Sequence, residues 1–91
     1  MIERPLSEIA AAVRGTLRGP DAVVSAVGID SRAVGPGSLF VAISGERVDG
    51  HDFVADAFER GAVAAVVHRP EIAGTVIEVP DTDRALRELA A

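Results

Sequence analysis

Leu39-Phe40-Val41-Ala42-Ile43 is an unbroken run of five apolar residues, with Gly35-Pro36-Gly37 before it and a polar stretch, 44–50, after it. A short apolar run bounded by turn residues predicts a strand covered on both faces. Residues 52–60 follow, with Phe53 and Ala57, joined by Val54 and Phe58, placed for an inward helical face and Gly61 as the stop. Ala62-Val63-Ala64-Ala65-Val66-Val67 then predicts a second buried strand. Strand, helix, strand in this order predicts a right-handed βαβ unit with parallel strands, and that decides the fold class.

Working outward, Leu6, Ile9, Ala10 and Val13 fall on one face of a helix over 6–13. Pro5 suits its entry, and Gly15 after Arg14 suits its stop. Residues 16–18 read as a short strand, 19–21 as a turn, and 27–30 as a strand. Downstream, 75–79 reads as a strand closed by Pro80. Asp81-Thr82-Asp83 supplies an N-cap for a helix over 84–91 that carries Leu86 and Leu89. The expectation is a single α/β domain over 1–91, a small mixed β-sheet flanked by helices, in the order α-β-β-β-α-β-β-α. No stop signal precedes Ala91, so the chain is expected to be cut from something longer.

Composition narrows the function. A length of 91 residues fits one domain, and 48% hydrophobic residues suit a compact α/β unit. The net charge is −5, the arginines are scattered, and no aromatic platform exists, which argues against nucleic-acid binding. There is no cysteine, so disulfides, thiolate chemistry and cysteine zinc sites are excluded. There is no lysine, so a phosphate loop ending in Gly-Lys-Ser/Thr and Schiff-base chemistry are excluded as well. The first residues do not form a signal peptide, and no apolar run approaches the roughly 20 residues that a membrane span needs. A soluble cytoplasmic protein with no membrane partner is expected.

Two stretches could carry chemistry. Asp30-Ser31-Arg32 sits where a strand meets a loop, on the edge where α/β sheets commonly bind ligands. Ser31 offers a hydroxyl, and Arg32 a fixed fork of donors for a phosphate or carboxylate. The plainer reading is that Asp30 caps the turn and Arg32 pairs with it or with a nearby glutamate. Gly45-Glu46-Arg47-Val48-Asp49-Gly50-His51-Asp52 leads into the middle helix, whose first N–H groups could meet a polar or anionic group. The plainer reading makes this a solvated loop, with Asp52 or Asp49 as the N-cap. His51 and His68 lie after different strands, and no spacing links them as a metal pair. Neither is expected to be catalytic or to hold a metal.

Both stretches resemble one known family. Asp30-Ser31-Arg32-Ala33-Val34-Gly35-Pro36-Gly37-Ser38-Leu39-Phe40-Val41-Ala42 is similar to the DSR-x-V-x-PG-x-LF-V-A segment that opens Mur ligases of the MurE and MurF types. Gly45 to Phe53 resembles their G-x-x-x-DGHDF segment, and Ala57, Gly61-Ala62 and Val79-Pro80-Asp81-Thr82 follow the same template. The similarity covers essentially the whole chain. Leu6-Ser7-Glu8-Ile9-Ala10 with Gly15, Leu17 and Gly19, and Gly45-Glu46-Arg47, look like the MurF type, with MurE the close alternative.

The resemblance implies the N-terminal domain of a three-domain, ATP-dependent ligase of peptidoglycan synthesis. That domain holds the uridine diphosphate end of UDP-N-acetylmuramoyl-peptide. The central domain, absent here, binds ATP and magnesium, and the C-terminal domain binds the incoming amino acid or, in MurF, D-alanyl-D-alanine. The reaction runs through an acyl phosphate that the incoming amine attacks. The uracil-holding positions implied are Ile29, Ser31, Glu46, Arg47 and Val48, with Arg32 beside them. The fragment itself is implied to carry no catalytic residue, no metal and no cofactor. Two other function classes stay open: a stand-alone nucleotide-binding or regulatory module, and a small acid–base enzyme using His51 with Asp49 or Asp52.

Overall fold

The two apolar strands alternate their residues between two helical layers, and that alternation organises the molecule. The computed structural model describes residues 3–43, 49–69, 72 and 74–90. Strands β1 (Arg4–Pro5), β2 (Thr16–Arg18), β3 (Val23–Val24), β4 (Ala26–Gly28), β5 (Ser38–Val41), β6 (Ala64–Val67) and β7 (Val76–Glu78) are interspersed with helices α1 (Leu6–Ala12), α2 (Val54–Glu59) and α3 (Thr82–Ala90). A five-stranded sheet runs in the order β2-β7-β6-β5-β4, and β1 pairs with β3 in a separate two-stranded ribbon. Leu39, Val41, Ala64 and Val66 pack with Leu6, Ile9 and Ala10 of α1 and with Ala85 of α3. Phe40, Ala42, Ala65 and Val67 pack on the other face with Val54 and Ala57 of α2. Every residue of β5 and β6 is buried, as an unbroken apolar strand between two layers should be.

The sheet is mixed, as expected. β4, β5, β6 and β7 pair in parallel, and β2 lies antiparallel to β7 with Leu17 opposite Ile77. The expected strand–helix–strand unit is present as β5, α2 and β6, with Leu39 opposite Ala64 and Val41 opposite Val66. The parallel pair β4–β5 has no crossover helix. Residues 29–37 make the crossing alone, and they do it on the α2 side, where Val34 joins the core under that helix. Gly61 holds the crossing loop to the end of α2. Its φ is 106°, and a Cβ there would stand 2.9 Å from the backbone of Pro36.

Three boundaries differ from expectation, each for a local reason. The strand expected at 27–30 is Ala26–Gly28, and a separate strand, Val23–Val24, precedes it because the chain changes partners. β3 pairs with β1 and β4 with β5, and between them the Ser25 N–H donates to the Gly37 carbonyl at 2.9 Å. Asp30 leaves the ladder because its carboxylate accepts the Arg32 N–H at 2.9 Å, a local bond that competes with a strand. Gly15 is not the left-handed stop of α1. Arg14 takes that conformation, with φ 58°. Gly15 is needed for close approach, since a Cβ would meet Ile77 Cγ2 at 2.7 Å. α3 starts at Thr82, two residues early, because Asp81 Oδ1 accepts from the N–H groups of Asp83 and Arg84. No helix among the described residues is long and apolar enough to cross a membrane.

Candidate functional site

β4 and β5 are neighbours and parallel, so the segments leaving their C-terminal ends emerge side by side. Between them opens a cleft of about 680 Å3. Ile29, Asp30, Ser31 and Arg32 form one wall. Gly50, Phe53, Asp56 and Arg60 form the other, along the approach to α2 and the helix itself. Buried Phe40 and half-buried Ile43 line it from the strand between. The two stretches singled out in the sequence therefore meet in one place. Glu46, Arg47 and Val48 of the second stretch lie outside the described residues.

The walls are apolar where the mouth opens. Ile29 is 56% exposed and Phe53 41% exposed. Apolar groups left in water beside a concavity are what a flat, partly apolar ligand would cover. Ser31 is the polar element within. It is 5% exposed, lines the cleft, and its hydroxyl has no hydrogen-bond partner among the described residues. No buried side-chain polar atom among the described residues lacks a partner, so this hydroxyl is not sealed off but opens to the cleft, where it can donate to and accept from a ligand.

Arg32 adopts the plainer of its two readings. Its Nε donates to Asp30 Oδ1 at 3.1 Å and its NH2 to Oδ2 at 3.0 Å. One edge of the fork is thus taken by its neighbour two residues back. The Arg32 side chain, and next its backbone N–H, hold the Asp30 carboxyl below the usual carboxylate range, with a smaller contribution from the charge of Arg60. Arg60 itself stands on α2, with its Nε 3.1 Å from Asp56 Oδ2.

The Asp49-Gly50-His51 segment does a different job from the one its residue types invite. Of the two candidate caps, Asp52 and Asp49, Asp49 is the one used, its Oδ1 accepting the His51 N–H at 3.0 Å. Nor are the N–H groups at this turn open to a ligand. Gly50 N–H donates to the Ile43 carbonyl at 2.8 Å, and Asp52 N–H to the Asp49 carbonyl at 3.0 Å. The His51 side chain is fully buried, with Nδ1 2.6 Å from Asp49 Oδ1. Its Nε2 accepts the backbone N–H of His68 at 3.0 Å, which puts the ring proton on Nδ1. The two histidine rings touch edge to face with centroids 4.1 Å apart, although nothing in their spacing linked them. Arg69 completes the cluster through an ion pair to Asp49 Oδ2. Both nitrogens of His51 are committed to holding the loop after β5 against the end of β6. Among the described residues no group of three or more potential metal ligands occurs.

Phe53, Asp56 and Arg60 are cleft residues that the sequence reading missed. Phe53 precedes Ala57 by four, a spacing that on a regular helix would place it inward. The chain enters α2 through a 3-10 turn, Gly50–Phe53, whose tighter pitch rotates the register. Val54 and Ala57 become the buried pair, and Phe53 turns to the cleft. The exposed, charged face of α2 that carries Asp56 and Arg60 could have been located only with the opposite wall in view.

Comparison with known proteins places this geometry. The model of the Mur ligase family, catalytic domain, matches residues 23–91. The UDP-N-acetylmuramoyl-tripeptide–D-alanyl-D-alanine ligase of Escherichia coli (strain K12) is 45% identical over 92 residues, covering 100% of this chain and 20% of its own length. The UDP-N-acetylmuramoyl-L-alanyl-D-glutamate–2,6-diaminopimelate ligase of Geobacillus thermodenitrificans is 50% identical over 74 residues, 80% of this chain and 15% of that protein. A crystal structure of MurF from Acinetobacter baumannii superposes with a TM-score of 0.85 at 33% identity, over 94% of this chain and 20% of that one. The chain thus spans a fifth or less of the length of these relatives.

Proposed function

Since the chain belongs to the Mur ligase family, we propose that it is the N-terminal substrate domain of a MurF-type ligase, residues 1–91 forming that single domain. Its task in this reading is to hold the uridine end of UDP-N-acetylmuramoyl-tripeptide while the rest of a cytoplasmic enzyme joins D-alanyl-D-alanine to the peptide in peptidoglycan synthesis. The observation that carries the reading is the cleft itself, in which the Ser31 hydroxyl, on a residue 5% exposed, opens between exposed Ile29 and Phe53. A uracil ring has two apolar faces and an edge of alternating acceptors and donors. Ile29 and Phe53 cover the faces, and Ser31 meets the edge. Arg32 contributes by locking Asp30 and hence the shape of the wall. Glu46, Arg47 and Val48 complete the base-holding set in this proposal.

ATP and magnesium do not fit this chain. It has no lysine to reach nucleotide phosphates, and no group of three or more potential metal ligands occurs among its described residues. Both belong to the central domain of the full-length enzyme in this reading, and no step of the coupling is carried by the residues here.

The test is a titration of this chain with UDP, followed on backbone amides. Without the rest of the ligase only uridine-side contacts remain, so a dissociation constant on the order of 1 mM is expected. Shifts at 29–32, Gly50 and Phe53, weakened by Ser31→Ala with the fold intact, support the reading. Saturable shifts confined to α3 overturn it. A MurE type is the second reading, favoured by the 50% identity with the diaminopimelate ligase. The full-length enzyme decides between them by whether it consumes D-alanyl-D-alanine or a single amino acid.

A further inference from the structure

Arg32 and Arg60 stand on opposite walls of the cleft, each beside an aspartate, but their guanidinium groups are in different states. Arg32 spends Nε and one terminal nitrogen on the two oxygens of Asp30. That pair takes one edge of the guanidinium and sets a carboxylate against its charge; the remaining donors stand on a side chain that is 80% exposed. Arg60 spends only Nε, on Asp56 Oδ2, and its two terminal nitrogens have no hydrogen-bond partner among the described residues. Its side chain is 46% exposed and lines the cleft. The pairing with Asp56, four residues earlier on the same helix, fixes the stem and leaves the terminal pair of donors forward. The charge of Arg60 also reaches across to Asp30, where it helps to lower the carboxyl pKa. The group therefore faces the site and not the open solvent behind α2.

We propose that Arg60 is the anion-contacting residue of this cleft, receiving a phosphate of the bound uridine nucleotide on its two terminal nitrogens, while Arg32 serves only to hold the opposite wall. The proposal rests on the uridine reading above and adds the residue that distinguishes a nucleotide from a nucleoside. A guanidinium held on one side by a carboxylate and open on the other bridges that carboxylate to an anion without losing its first partner. An exposed pair of this kind contributes little to stability, so Arg60 can be replaced without threatening the fold.

The experiment compares uridine with UDP on this chain, on Arg60→Met and on Arg32→Met, by amide shifts. Methionine keeps an apolar stem and removes the charge. The expected result is that the unmodified chain prefers UDP to uridine by about tenfold, the order of one charge-assisted contact. Arg60→Met should abolish that preference with uridine affinity unchanged, and Arg32→Met should retain it. A preference that survives in Arg60→Met, or one lost only in Arg32→Met, overturns the proposal. So does uridine binding in the cleft with no preference for UDP, which leaves the uridine reading standing. No saturable shift with either ligand overturns both.

Discussion

Asp49 shows how a residue that looks catalytic can be structural. It lies beside a histidine and an arginine, the company of many acid–base sites, yet each partner is used to close a loop. The His51 backbone N–H, and next its ring, hold the Asp49 carboxyl down from 3.8 to about 2. A depressed carboxylate pKa stabilises the fold above the unfolded value and ceases to do so as pH falls through the folded one. That window runs from about pH 4 down to about pH 2. A shift of this size on a carboxylate one quarter exposed corresponds to on the order of 2 kcal/mol at neutral pH. Asp49→Asn should therefore lower stability by about 1–2 kcal/mol at pH 7, since the amide oxygen still accepts a bond. It should also flatten the acid limb between pH 4 and pH 2. Urea unfolding across that range checks this, and parallel curves for the two proteins would show that the carboxylate charge is not what stabilises the loop.

Elements here are short and borrow their ends from distant residues. α1 has no side-chain cap of its own at Pro5. Asp21, fourteen residues on, accepts from the Ser7 N–H at 3.0 Å and the Ser7 hydroxyl at 2.7 Å, while the Leu6 N–H donates to the Ala22 carbonyl at 2.8 Å. The helix start is thus tied to the turn after β2, which no local pattern announces. The end of α1 depends on Gly15 for room. An alanine there would press its Cβ to within 2.9 Å of Val79 Cγ1 and the Glu78 carbonyl oxygen. Gly15→Ala should destabilise by about 1–3 kcal/mol, the usual cost of overpacking. Gly35→Ala is the control, because nothing lies within 4 Å of its Cβ and its φ is not positive. It should fall within about 0.5 kcal/mol of the parent. Equal effects at the two sites, by thermal or urea unfolding, would remove the crowding argument.

At the scale of the molecule, three layers place the cleft on one side only. α1 and α3 cover the face bearing Leu39, Val41 and Ile77, and α2 with the crossing loop covers the face bearing Phe40 and Val67. The cleft lies beside the C-terminal ends of β4 and β5, with Asp56 and Arg60 of α2 along one wall. The purified chain should turn over no ATP and form no amide bond, because it has no lysine with which a phosphate loop could reach the nucleotide phosphates. ATP hydrolysis that follows the protein through successive columns would refute this.

What the sequence by itself determined was the layered α/β class and the two stretches that contribute residues to the cleft. Those readings rest on periodicity and turn chemistry, which are local: the apolar runs of β5 and β6 admit no solvated face, and Gly61 can only end a helix. Only the tertiary structure decided which side chains face the cleft and which are spent elsewhere. His51 and His68 are seventeen residues apart, and only the parallel pairing of β5 with β6 brings their rings to 4.1 Å. Phe53 changes sides because a single 3-10 turn rotates it by more than the pattern of apolar residues can register. Arg32 and Arg60 are the same residue type on two walls, and the difference between them is geometric. One has a carboxylate two residues back that takes Nε and a terminal nitrogen, and the other has a carboxylate one helical turn back that takes only Nε. Composition and spacing cannot express which nitrogens remain open, because that depends on how the backbone aims each carboxylate at its guanidinium.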